Sequence, residues 1–523
     1  MSPKPTSLTR RSVLSALASS AAAAAVLRSP FAHGQSPEPE ASPLHDPLRP
    51  AFHYLPARNW LNDPCGPIFW RGQYHLFHQY NPHAAVWGDM HWAHATSPDM
   101  VHWRRLPVAL APTPGPDSAG CFTGSALLHN GQPAILYTGV EAVPHDQATL
   151  SDGTHNFRET QILATPADPN LGSWNKHPQP VVPSPPPGMQ VTGFRDPAPF
   201  QHAGSQYLVI GSGQRGTGGM ALLYRARKLP DGTDDLTQWE YLHPLAQDTT
   251  FSPPNTSTAP QADTPNPTKT TPVDTPKDPV DTGEMWECPD FFALGGRHVL
   301  IYSTRRITFW QVGDLDPATL RFHATAAGRL DQGRSFYAPK TQLDAHGNRI
   351  LWGWLAETRP EAEFAAAGWA GMISLPRVLT VSNGELRMRP LPALEQLRTA
   401  SPGNQIHEFT ATLQQQPAAA GPAAPYILRD ATGPLLEIRS GDAIALTDET
   451  AARTPIDAHL PNSAPLHAFF DNSVLELFLG DNLCFTHRFY RRDPSTPVAT
   501  LTLPGNRLVV SPRALSLRGI WPV

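Results

Sequence analysis

Along residues 51–388 the apolar positions do not follow the 3.6-residue period of a helix face; they come in short, strand-length bursts. One unit recurs: an apolar run, a turn carrying Gly, then a stronger apolar run. It reads PIFWRGQYHLFHQY after Gly66, ALLHNGQPAILYTG after Ser125, PAPFQHAGSQYLVIG after Asp196, DFFALGGRHVLIYS after Pro289 and KTQLDAHGNRILWGW after Pro339. A second signature, an acid a few positions before an aromatic, follows most of them: Asp99/Trp103, Asp168/Trp174, Asp235/Trp239 and Asp316/Phe322. Repeats of this size, each long enough for about four short strands, predict a β-propeller, and five hairpins predict five blades. The longest interval contains residues 248–283, dense in Pro and Thr and nearly free of large apolar side chains. Such a stretch cannot bury enough surface to offset its ordering entropy, so it reads as a flexible insertion. After the WAGMISLPRVL run from Trp369 the hairpins stop. Residues 389–404 read as a linker, and the alternating runs across 405–523 (FTATL, YILRD, SVLELFLG, LVVSP) predict a separate β-sandwich. The expected fold is therefore all-β, a five-bladed propeller followed by a sandwich.

Composition narrows this. With 59 Pro and 38 Gly the chain is no long-helix or coiled-coil protein, and 13 Trp, 21 Phe and 11 Tyr supply a core that wholesale disorder would lack. Forty basic against 45 acidic residues give a net charge of −5, which predicts no nucleic-acid partner and no anionic-membrane partner. Four cysteines are too few for a disulfide scaffold, no pair has metal-ligand spacing, and the 22 His are scattered, so neither metal nor cofactor is expected. At the N-terminus Arg10-Arg11 precedes an Ala-rich apolar stretch, Val13–Leu27, and Ala32-His33-Gly34 offers small residues for cleavage. That stretch falls short of the roughly 20 residues needed to span a bilayer, so residues 1–34 read as a twin-arginine export signal. The mature protein is then periplasmic or secreted and free of the membrane, with residues 35–50 a disordered lead-in. Nothing in the sequence speaks to oligomeric state.

Three acids stand at or just before the starts of the strands that open hairpin units: Asp63, Asp196 and Glu287. They are 133 and 91 residues apart, yet a propeller would bring such positions together on one axial pocket. Each could merely cap its own turn. Three at equivalent positions point instead to a shared site, since clustered buried acids are costly unless they are hydrogen-bonded or used in chemistry. Trp60, Trp87, Phe122, Trp286 and Trp369 are candidates to stack on a sugar ring, and Asn62, Gln79 and Arg195 to donate to its hydroxyls. Acids and aromatics in one funnel suggest glycoside cleavage, where two carboxyls flank the scissile bond, with stereochemistry left open by sequence spacing.

Around these residues the sequence resembles glycoside hydrolase family 32, which holds the invertases, inulinases, levanases and fructan exohydrolases. The resemblance rests on WLNDPCG from Trp60, FRDP from Phe194 and WECPD from Trp286, with support from CFTGSA after Gly120, YAPKT after Phe336 and DNSVLELF from Asp471. It runs in order over about residues 50–520. It implies a propeller-plus-sandwich fold and a retaining mechanism: Asp63 as nucleophile on a β-fructosyl unit, Glu287 as general acid and then base, and Asp196 holding fructose hydroxyls. Asn62, Gln79, Trp87, Phe122, Thr123 and Arg195 match the family's fructose-binding positions. Cys65 stands where the family usually has Asn, Thr123 where it often has Ser, and Leu61 where it usually has Met. Cys65 and Cys288 flank the acids, which raises a disulfide between them. The WECPDFF and WGWLAE runs look plant-type, but Ser303-Thr304-Arg305-Arg306 lacks the Asp by which plant-type invertases hold glucose, leaving sucrose and fructans both open. The expected partner is a small carbohydrate. A fructosyltransferase on the same scaffold is the alternative. A non-catalytic carbohydrate-binding protein fits the three acids less well, and an inverting pentosidase on a similar propeller fits the matched motifs less well.

Overall fold

The computed structural model describes residues 46–521 apart from 152–154, 250–277, 400–406, 416–425, 431–432, 440–443, 449–452, 457–462, 491–497 and 503–506. The twin-arginine segment, most of the lead-in and most of the Pro/Thr-rich stretch therefore lie outside the described residues. What is described is nearly all β: the helical pieces are the α-helices Pro279–Thr282 and Glu361–Ala367 and two 3-10 turns.

Among the described residues the strands fall into seven sheets, five before residue 391 and two after it. Each of the first five is an antiparallel meander opened by one strand: Asn59–Trp70, Gly120–His129, Phe194–His202, Glu287–Leu294 and Phe336–Leu343. These opening strands pack each on the next, and the fifth packs back on the first. The ends are also tied by backbone: Trp369–Ala370, from the last unit, runs parallel to Asn59-Trp60 at the edge of the first sheet. Gly371 makes the approach possible, since at its φ of +77° a Cβ would lie 2.0 Å from the Leu61 carbonyl oxygen.

All five opening strands carry the same irregularity near their start. Two residues oppose one on the neighbouring strand at Asn62-Asp63, Phe122-Thr123, Asp196-Pro197, Cys288-Pro289 and Ala338-Pro339. Such bulges kink a strand and re-aim its side chains. Proline fits where the ladder asks for no N–H. Asp196, Cys288 and Ala338 pay with left-handed backbone, φ +65°, +49° and +49°.

The two later sheets hold five strands each, the first running Leu483–Arg488, Val474–Leu479, Ser463–Asp471, Glu408–Gln415, Arg507–Leu515. That sheet is not a loosely tethered body. Phe469, Val474 and Phe478 share one buried cluster with Phe336, Leu351 and Trp369 of the fifth unit. Of the 389–404 stretch, the described part joins the same cluster, Pro392–Leu397 forming a 3-10 turn with Leu394 and Leu397 buried.

Candidate active site

The bulges deliver the site. Asp63, Asp196 and Glu287 line one cavity of about 310 Å³, together with Asn62, Phe122, Thr123, Arg195 and Tyr337, all at or beside a bulge. The three acids do not occupy equivalent positions, as their placement in sequence had suggested. Asp196 is the first bulged residue of its strand, Asp63 the second, and Glu287 the residue before the bulge, paired with Ser303. A kinked strand turns successive side chains towards one side, so three offset positions reach one pocket.

Asp63 is half-buried and held by two donors: Thr123 Oγ1 at 2.6 Å from Oδ2 and Asn62 Nδ2 at 3.1 Å from Oδ1. Asn62 is itself fixed by the Trp60 indole N–H at 2.8 Å. Burial raises the proton affinity of Asp63, the two donors oppose that, and the Glu287 charge adds to it. Asp196 is buried, accepts the Cys288 backbone N–H at 2.8 Å, and is pushed up to about 7 by burial against the opposing pull of Arg195. Glu287 is half-buried. Its Oε1 accepts from Arg195 Nη2 at 2.8 Å and Nε at 3.2 Å, and its Oε2 from the Tyr337 hydroxyl at 2.7 Å. Burial and the Glu287 charge hold the Tyr337 phenol well above its usual range, so it stays a donor.

The Cys288 sulfur lies 3.5 Å from a carboxylate oxygen of both Asp63 and Asp196. Burial and those two charges push its thiol up, which leaves it protonated and unreactive. All four cysteines are free and buried, so Cys65 and Cys288 are not bridged. Cys65 instead receives a long contact from Gln79 Nε2 at 3.7 Å, while that same amide donates to the Cys121 carbonyl at 2.9 Å and lines the cavity.

Of the aromatics expected to stack on a sugar, Trp87 and Phe122 line the cavity, meeting edge to face at 6.0 Å. Trp60, Trp286 and Trp369 do not: Trp60 packs behind Asn62, Trp286 is buried against Tyr302, and Trp369 lies in the core shared with the later sheet. Their apolar bulk was spent on packing between strands. The rim is completed by His155 stacked on Phe157 and by Asp278, which the sequence did not single out, and by Trp354 of the WGWLAE run and Arg306 of the Ser303-Arg306 segment. Asp278 caps the short Pro279–Thr282 helix at the described end of the Pro/Thr-rich stretch, which reaches the pocket there. It brings a carboxylate beside Arg306, whose guanidinium is bonded to Asp281 at 2.8 Å. No group of three His, Cys, Asp or Glu that could hold a metal ion occurs among the described residues, and no helix among them is long and apolar enough to cross a membrane.

The Asp196 shift has a stability consequence. Its folded proton affinity exceeds its unfolded one, so the stability it contributes is complete below pH 3.8 and is lost as pH rises through about 7. Asp196→Asn keeps the shape and the acceptor for Cys288. It is expected to gain on the order of 1–2 kcal/mol in urea unfolding at pH 8 and to lose that advantage near pH 4. An equal gain at both pH values would contradict this account.

The N-terminal-domain profile of glycosyl hydrolases family 32 matches residues 53–253 and 263–390, and the family's C-terminal profile matches 425–506. Sucrose-6-phosphate hydrolase of Escherichia coli is 31% identical over 469 residues, 83% of this chain and 87% of its own length. The cell wall isozyme of beta-fructofuranosidase from Zea mays is 34% identical over 397 residues, 69% of this chain and 58% of its own. Among solved structures, a Bombyx mori GH32 beta-fructofuranosidase in complex with sucrose superposes with a TM-score of 0.71 at 25% identity, covering 92% of this chain and 96% of that one. Fructan 1-exohydrolase IIa from Cichorium intybus in complex with 1-kestose gives 0.72 at 26%, covering 90% and 98%. With both family domains matched in order around a pocket of three carboxyls, this chain belongs to glycosyl hydrolase family 32 and is a glycoside hydrolase.

Proposed function

We propose that the protein is a retaining hydrolase that removes terminal β-D-fructofuranosyl units from sucrose or fructans, on a five-bladed propeller followed by a β-sandwich. The propeller reading is supported by five bulged opening strands that contact one another in a ring. The observation that carries the function is the meeting of Asp63, Asp196 and Glu287 in one cavity with Arg195 and Tyr337 on Glu287. Asp63, held by Thr123 and Asn62, attacks the anomeric carbon and forms a fructosyl-enzyme. Glu287 gives its proton to the leaving oxygen and then takes one from the water that releases fructose. Asp196 and Arg195 hold the ring hydroxyls, Gln79 and Asn62 add polar contacts, and Trp87 and Phe122 provide apolar faces.

Fructose release from sucrose, inulin and levan by wild type and Glu287→Ala tests this. Wild type should release fructose and the variant should lose about two to four orders of magnitude in kcat. The ranking of the three substrates assigns the enzyme as invertase or exohydrolase, and growth of longer products at high sucrose would assign fructosyl transfer instead. Wild type releasing fructose from none of the three would overturn the proposal.

A further inference from the structure

Behind Arg195 stands a carboxylate that the mechanism above does not use. Glu159, on the Asn156–Pro166 strand of the second sheet, is wholly buried and does not line the cavity. Its Oε1 accepts from Arg195 Nη1 at 2.9 Å, and its Oε2 from the Phe194 backbone N–H at 2.6 Å and Thr149 Oγ1 at 3.2 Å. One side chain of the second sheet thus grips both backbone and guanidinium where the third sheet's opening strand enters the pocket. Gln161 on the same strand continues the grip, donating to the Phe194 carbonyl at 2.8 Å. Its own carbonyl receives the Thr138 hydroxyl at 2.8 Å, and Thr138 in turn accepts the Asp196 N–H at 2.9 Å.

A neutral Gln at position 159 could still accept from Phe194, yet the chain buries a carboxylate, which is costly unless its charge is used. The use is visible in Arg195, which spans two carboxylates, Glu159 behind it and Glu287 in front. With the charge of Glu159 present, the pull of Arg195 is divided. Without it, the whole of that pull falls on Glu287.

We propose that Glu159 is the positioning residue of this site, aiming Arg195 at Glu287 and sharing its positive charge so that Glu287 can pass a proton in both directions during turnover. This rests on the hydrolase reading above. The other charged or titratable groups facing Glu287 are Asp63, Asp196, Asp278, Cys288, Arg306 and Tyr337, all unchanged in the variants below.

The test uses the full chain and sucrose or inulin, whichever wild type hydrolyses faster. Kinetics are measured across pH for wild type, Glu159→Gln, Arg195→Lys and the double variant, with melting temperatures alongside. Glu159→Gln should lower kcat by about 10- to 100-fold with a smaller change in KM, and move the alkaline limb of kcat about one unit to lower pH. Because Glu159 acts through Arg195, the double variant should fall within about threefold of Arg195→Lys alone. Glu159→Asp keeps the charge but withdraws it by one methylene, so its kcat should fall with the limb unmoved. It carries the test if the Gln variant does not fold. Multiplicative losses in the double variant with an unmoved limb, or Glu159→Asp at wild-type kcat, would overturn the proposal. An inactive wild type would sink the hydrolase reading itself, a failure distinct from these.

Discussion

Replacing Asp63 with Gly is expected to lower kcat/KM on β-fructosides by about four to six orders of magnitude, because the covalent route loses its nucleophile outright. The residue has no other structural task of comparable weight: its carboxylate accepts from Thr123 and Asn62, both of which line the same cavity. The loss alone would not separate a nucleophile from an acid, but azide does. With an activated fructoside, azide entering the space left by the Asp63 side chain attacks from the nucleophile's face, and the fructosyl azide formed is inverted. In Glu287→Ala the leaving group needs no acid, Asp63 still forms the fructosyl-enzyme, and azide then gives the retained product. Product configuration by NMR reads the two apart. Retained azide from the Asp63 variant, or inverted azide from the Glu287 variant, would exchange or remove these roles. Burial raises the proton affinity of Asp63, so the acid limb of wild-type activity should also lie above the ordinary carboxylate range, activity falling as pH drops through it.

The hairpin count could be read from the chain because an apolar strand, a Gly turn and a second apolar strand repeat with little variation. The five sheets before residue 391 fall where those repeats were marked. The bulges were less legible, being a two-against-one register rather than a residue type. Once they are seen, the motifs align: Leu61, Cys121, Arg195, Glu287 and Tyr337 precede the bulge on their strands. Tyr337 could have been found this way, since Tyr337-Ala338-Pro339 repeats the frame of Glu287-Cys288-Pro289. Asp278 could not: its place in the cavity depends on where a Pro/Thr-rich stretch returns to the fold, and no periodicity records that. Arg306 lies in the turn after Arg297–Thr304, in the segment that the resemblance compares with the glucose-holding position of plant-type invertases. The tryptophans misled for a simpler reason: large aromatics serve cores and pockets alike, and Trp60 and Trp286 lie one or two residues from Asn62 and Glu287 yet pack into the core.

Arg377→Met should be the most destabilising single change outside the pocket. The guanidinium is wholly buried where the fifth sheet meets the later module. Its Nη1 donates to Asp331 at 2.9 Å, its Nη2 to Glu476 at 2.8 Å and to Thr486 at 2.7 Å, and the group lies 4.2 Å from the Phe336 ring centre. Glu476 also bonds His53 Nε2 at 3.1 Å, and His53 Nδ1 bonds Asp471 at 2.8 Å, so one chain of buried charge links residue 53, the fifth sheet and the later module. Removing the cation leaves Asp331 and Glu476 buried without it, at a cost of about 3–5 kcal/mol. The urea midpoint should fall accordingly, and because the network crosses the boundary both modules should unfold together. A loss under about 1 kcal/mol, the range of an exposed pair, would mean that the charges are solvated in solution. The same network sets a pH signature. Burial alone would lower the proton affinity of His53, but its bonds to Asp471 and Glu476 outweigh this and hold it up to about 9. The folded state then binds that proton more tightly than the unfolded chain, so the stabilisation is complete below 6.5 and fades as pH rises through about 9. Wild type should lose stability across that window while His53→Gln shows a flatter slope. Parallel curves for the two proteins would place the titrating group elsewhere.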